Sequence, residues 1–286
     1  MHNNILLLIN KEDTLIMDLE LILNILYYVF FGLFGLCIGS FLNVVIYRWP
    51  NNMSIVKPPS HCTTCDYKLK WYDNIPVLSY IILGGKCRKC KEHISIRYTL
   101  VEIANMLLWL LCLALNFSNI YLAIIYSLVC SIFICVFFID LEHKIIMDRF
   151  NIALIVLAII AIFLGNPQSE WLYTFYDKLA GALIGGGFFL LMFYFAIWVF
   201  KKEGLGGGDV KFMFCVGLLL GWKNLLLSVL ISSVIASITM VILQKIRSDE
   251  KDYEYPFAPY LVIGAVIAMF FGTTIINSYM SLLMSL

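Results

Sequence analysis

Eight long apolar runs, separated by polar stretches, organise the chain: about 20–47, 98–117, 120–139, 151–166, 178–200, 210–222, 224–244 and 257–284. Crossing a bilayer core takes roughly 20 apolar residues in one helix. In lipid only a helix or a closed barrel satisfies its own backbone polar groups. The pattern therefore predicts an all-α polytopic membrane protein with about eight transmembrane helices. The sixth run is too short to cross alone at about 1.5 Å rise per residue, and Gly217 and Gly221 soften its end. One long helix over 210–244 is the alternative. The chain then divides into a short N-terminal segment (1–19), a first transmembrane helix (20–47), a polar loop (48–97) and a membrane core (98–286).

The basic residues decide between the alternatives, because Lys and Arg gather in cytoplasmic loops. If the first span runs inward, the inside loops are 48–97, 144–149, 201–211 and 245–251, and they hold 17 of the 20 Lys and Arg. Only Lys11, Lys178 and Lys223 fall outside. Fusing the sixth and seventh spans would move the last basic loop outward. Eight spans with both termini outside is the expectation.

Composition agrees: 62% of residues are hydrophobic and 14% charged, outside the range of a soluble globular domain. The run from Ile5 to Ile9 is too short for a signal-peptide core, lacks a basic n-region and precedes Lys11, Glu12 and Asp13. The first span is expected to remain as an anchor.

Of nine cysteines, five (Cys37, Cys112, Cys130, Cys135, Cys215) lie in apolar runs, where Cys packs as a small hydrophobe. The other four form Cys62-Thr-Thr-Cys65 and Cys87-Arg-Lys-Cys90 in the polar loop. Two such turns complete a tetrahedral all-cysteine zinc site of ribbon type, with no open position, so the metal would be structural. Redox-active CxxC motifs and disulfides are the alternatives, and a cytoplasmic location disfavours stable disulfides.

Two acids change the picture further. Asp140 follows the apolar run 129–139, and Asp209 closes the run Gly206-Gly207-Gly208. An ionisable group at membrane depth is costly and marks a functional site by default. Each also has an ordinary explanation: Asp140 as a solvated helix end, Asp209 as an N-cap. Glycines such as Gly206 and Gly208 let another backbone approach closely. Two neighbouring carboxylates cannot both ionise cheaply, so one keeps a proton near neutral pH. Such a pair can activate water and polarise a peptide carbonyl without a separate nucleophile. No HExxH helix and no GxSxG turn competes with this reading.

These residues stand in an ordered series that resembles the type IV prepilin peptidase (leader peptidase) family over nearly the whole chain. The series runs from Gly39-Ser40-Phe41-Leu42-Asn43 through the CxxC pairs, Trp71-Tyr72-Asp73-Asn74-Ile75-Pro76 and Val101-Glu102. It continues with Asp140-Leu141, Gly206-Gly207-Gly208-Asp209-Val210-Lys211, which resembles the family's GxGD signature, and Phe257-Ala258-Pro259. The resemblance implies a bacterial inner-membrane aspartic endopeptidase that cuts the leader from prepilins and pseudopilins after a glycine on the cytoplasmic side. It also implies methylation of the new N-terminus with S-adenosylmethionine. By motif position Asp140 and Asp209 match the catalytic pair, with Gly206, Gly208, Asp148 and Lys211 supporting. Glu102 and the loop of Cys62, Cys65, Cys87 and Cys90 match the part associated with methylation. The implied partners are pilin-like substrates and the lipid bilayer, with no nucleic acid. Two departures concern loop geometry: the family often has Pro where this chain has Met147 and Thr99.

A proton- or cation-coupled transporter with a zinc-stabilised loop is the rival from another class, and it predicts further polar residues at mid-bilayer depth. A presenilin-like GxGD protease shares the chemistry but cuts within helices.

Overall fold

The computed structural model describes residues 2–165, 171–201, 206–246 and 255–285. Lys202, Arg247 and Lys251, assigned above to inner loops, lie outside the described residues. Nine α-helices are described: α1 (His2–Arg48), α2 (Leu78–Leu83), α3 (Arg97–Leu115), α4 (Ile120–His143), α5 (Asp148–Leu164), α6 (Trp171–Phe200), α7 (Gly207–Leu220), α8 (Trp222–Ile246) and α9 (Ala258–Met284). A 3₁₀ turn covers Trp71–Asn74. All eight predicted apolar runs are helical, and six helices are long and apolar enough to cross a membrane alone. The protein is a multi-pass membrane protein. Of the other two, α5 has 17 residues and α7 has 14, about 21 Å of helix. The alternative of one helix over 210–244 fails at Gly221, whose φ of 81° breaks the helical path.

The chain forms two compact units. The first holds residues 1–41 and 59–114. Here α1 and α3 meet through small residues, since a Cβ on Gly35 would lie 2.8 Å from the Met106 backbone and one on Gly39 2.8 Å from that of Glu102. Such close approach is how membrane helices gain packing contact where lipid offers no hydrophobic drive. The buried Asn105 side chain donates to the Gly35 carbonyl at 2.7 Å, and Phe31 packs on Trp109.

The second unit holds residues 42–58 and 115–286. The end of α1 enters it through Trp49, which packs on Phe150 and under the Arg149 guanidinium. The short α7 is its centre: α5, α6, α8 and α9 pack against it, and Phe212 meets Phe133 of α4 edge-on. Its residues from Cys215 to Leu220 are all buried. A helix apolar on every side belongs in such a position. Glycine sets the α6–α7 distance, since a Cβ on Gly181 would lie 2.5 Å from the Gly217 carbonyl and one on Gly185 2.6 Å from that of Met213. Where α7 stops, the Lys178 ammonium donates to the Leu219 carbonyl, placing a cation at the negative helix end.

Replacing Gly181 with Leu should therefore force α6 off α7 and destabilise the protein by about 1–3 kcal/mol or more. Gly187→Leu, where a Cβ would meet nothing within 4 Å, should leave the melting temperature in detergent nearly unchanged. Equal melting of the two variants would contradict this packing.

Candidate functional site

Asp140 lies in the last turn of α4 and is 6% exposed; Asp209 lies in the first turn of α7 and is 8% exposed. The fold buries both carboxylates, and each takes a backbone N–H at a helix start. Asp140 Oδ2 accepts from the Ala258 N–H at 3.0 Å. Ala258 opens α9, with Pro259 behind it, so this N–H is one of the donors a helix start leaves without an internal partner. Asp209 Oδ2 accepts from the Gly206 N–H at 3.3 Å. The positive ends of α7 and α9 thus favour negative charge at this point.

The two acids interact. Asp209 precedes the first apolar residue of α7 and lies outside all six spans. Burial, followed by the charge of Asp140, raises its carboxyl to about 7, against the opposing pull of the Gly206 N–H. A proton therefore resides on this pair near neutral pH.

The neighbouring motif residues take distinct roles. A Cβ on Gly208 would lie 3.1 Å from Ile146 Cβ, so glycine there lets the loop before α5 close against α7. Asp148 and Lys211 pair with each other at 2.8 Å, both exposed. Met147, one of the two departures, has φ −79° and ψ 135°, a backbone that Pro also adopts. Thr99 stands in the first turn of α3, where Pro is equally compatible.

In the first unit the four cysteines converge. Their sulfur atoms all lie within 4.8 Å of one another, with Cys62–Cys90 at 3.8 Å and Cys65–Cys87 at 4.0 Å. Tetrahedral zinc with Zn–S bonds of about 2.3 Å sets ligand sulfurs about 3.8 Å apart. The two turns repeat one design. Asp66 N–H donates to the Cys62 carbonyl and Lys91 N–H to that of Cys87. Isolated β-bridges join His61 to Lys68 and Lys86 to His93. Backbone N–H groups aim at the sulfurs: that of Cys90 leads in lowering Cys87 to about 6, and that of Thr64 leads in lowering Cys62. Cys90 differs. The Glu92 N–H favours its thiolate, but burial and the three neighbouring sulfurs push it up to about 12. Four sulfurs this close ionise together only around a cation, so the donor set fits zinc.

Three contacts in this loop join motif residues in ways the sequence does not show. Asp73 is buried and accepts from Arg88 Nε at 2.8 Å, the Lys70 N–H at 3.2 Å and the Tyr67 hydroxyl at 3.5 Å, tying both cysteine turns to the 3₁₀ turn. Val77 has φ 60° and centres a γ-turn closed from the Leu78 N–H to the Pro76 carbonyl, a strained state for a β-branched residue. The buried Glu102 carboxylate holds that turn by accepting the Val77 N–H at 2.8 Å. The donor role of Ala258 was likewise hidden, although Pro259 marks a helix start.

Two family models match the chain. The Bacterial Peptidase A24 N-terminal domain covers residues 33–116, with the four cysteines and Glu102. The Type IV leader peptidase family covers residues 127–241, with both buried aspartates. Among curated relatives, the prepilin leader peptidase/N-methyltransferase of Pseudomonas aeruginosa is 34% identical over 275 residues, 87% of this chain and 91% of its own length. Its counterpart in Legionella pneumophila is 32% identical over 88% of this chain and 94% of its own. That of Myxococcus xanthus is 37% identical over 76% of this chain and 63% of its own. No solved structure matches the chain. With both matched regions carrying the motifs described, and relatives above 30% identity along nearly their full length, the chain belongs to the type IV leader peptidase family.

Proposed function

We propose that the chain is a membrane-embedded aspartic endopeptidase that removes the leader from type IV prepilins or pseudopilins after a glycine, on the cytoplasmic side of a bacterial inner membrane. The observation that carries this reading is the buried, interacting pair Asp140 and Asp209, each at a helix N-terminus. In the reaction the ionised carboxylate takes a proton from the attacking water while the protonated one donates to the scissile carbonyl. The tetrahedral intermediate then collapses, and the leaving amine receives the proton taken from water. The names of the relatives support the same activity. The transporter alternative finds no support among them.

The same relatives' names support a second activity, N-methylation of the new N-terminal amine, for which S-adenosylmethionine is the methyl donor. The loop 48–97 and Glu102 serve this step. Zinc on Cys62, Cys65, Cys87 and Cys90 holds the loop in shape, while Asp73 and Glu102 lock the segment between the two turns. Glu102 acts here by positioning Val77.

Co-expression with a prepilin tests the peptidase pair. Asp140→Asn and Asp209→Asn should each cut processing by about 10²–10⁴-fold, the scale of a lost acid or base, and normal processing by either variant would sink the assignment. Since Asp209 holds its proton below about 7, the purified enzyme should lose kcat/KM as pH rises beyond that point, toward tenfold per unit. A flat alkaline limb would contradict the shared proton. Cys62→Ser should lower bound zinc, measured by elemental mass spectrometry, and yield mature pilin one methyl group lighter while leader removal persists. Full methylation by the zinc-depleted variant would separate the loop from that step.

A further inference from the structure

Asn151, in the first turn of α5, is 5% exposed. Both its side-chain Oδ1 and Nδ2 are buried without a hydrogen-bond partner among the described residues. Its backbone carbonyl accepts from the Cys215 thiol at 3.5 Å. An unpaired buried amide weakens the fold relative to an apolar residue of the same shape, and each such group calls for an explanation.

Asn151 lines a groove of about 520 Å³ between α5, α6 and α7. Both α5 and α6 pack along α7 but scarcely touch each other, so a strip of α7 stays open between them. Phe214 forms part of the floor, Ile152 one wall and Leu190 the other, and the two wall residues are 62% and 44% exposed. Gly186 keeps the Phe214 ring uncovered, since a Cβ there would lie 3.0 Å from it. At one end stands the Asp148–Lys211 ion pair, beside Val210, the residue after Asp209. The groove thus leads away from the buried carboxylates along an apolar flank.

We infer that this groove receives the apolar segment of the substrate that follows the cleaved bond, and that Asn151 turns its amide onto the extended backbone joining that segment to the cleavage point. An apolar helix suits the walls. Close to the carboxylates the substrate backbone must be extended, and an extended peptide presents a carbonyl and an N–H. A primary amide supplies the matching donor and acceptor. A lipid acyl chain fits the walls as well but leaves the amide unpaired. This inference rests on the peptidase reading and names which surface of the enzyme holds the substrate.

The test uses the full-length enzyme in membranes or detergent with a prepilin substrate. Asn151→Leu should raise KM about tenfold, on the scale of two hydrogen bonds, with kcat within about twofold and an unchanged or higher melting temperature. Asn151→Gln should restore part of the loss. In an Asp209→Asn background that holds substrate uncut, p-benzoylphenylalanine in place of Ile152 should crosslink to the prepilin's apolar segment. The same group in place of Val156, which is 50% exposed and outside the groove, should not. Unchanged KM in Asn151→Leu, or equal crosslinking from both positions, would overturn the inference while wild-type cleavage left the peptidase reading standing. A wild-type enzyme that failed to cut prepilin would overturn both.

Discussion

Holding two carboxylates inside the protein is the constraint around which the second unit is built. Neither Asp140 nor Asp209 has a salt-bridge partner among the described residues. What they have are backbone N–H groups at the starts of α9 and α7. A helix start offers free donors and a favourable dipole without adding a full positive charge. This distinction matters for the chemistry. A salt-bridged Lys or Arg would hold both acids ionised, whereas burial and the charge of Asp140 keep Asp209 protonated more readily against the pull of its N–H donor.

The short α7 brings its helix start to the buried carboxylates. At about 21 Å it falls short of the roughly 30 Å hydrocarbon core. Its other end stops at Gly221, where the Lys178 ammonium takes up the Leu219 carbonyl. Such a broken helix survives in a membrane only if it is buried in protein, and α7 is covered by its neighbours along most of its length. Glycines on α6 and α7 make that cover tight. The uncovered strip between α5 and α6 is where Asn151 and the apolar groove lie. Helix length and glycine spacing thus serve one requirement.

The cysteine loop solves a different problem. A polar stretch of this length has too little apolar material to fold by burial alone, and Trp71, Ile81 and Ile82 remain more than 60% exposed. Four sulfurs and one buried carboxylate, Asp73, supply the order instead. The strained Val77 turn persists because Glu102, anchored on α3, takes its N–H.

The sequence alone determined the elements that depend on neighbours along the chain. Apolar run length predicted a helix in each of the eight runs, though α1 begins earlier, at His2, and the sixth and seventh runs are separate helices that part at Gly221. Paired CxxC turns announced a four-sulfur cluster, and the ordered motifs marked Asp140 and Asp209. Tertiary structure decided what depends on residues far apart. The Ala258 N–H that meets Asp140 lies 118 positions away, and the Lys211 ammonium that meets Asp148 lies 63 away. It also revealed that this last pair is exposed, that Glu102 braces a strained turn, and that the Asn151 side chain has no hydrogen-bond partner among the described residues. Periodicity reports which face of a helix is apolar. It does not report which helix covers that face, and a buried polar group is defined by what lies across from it.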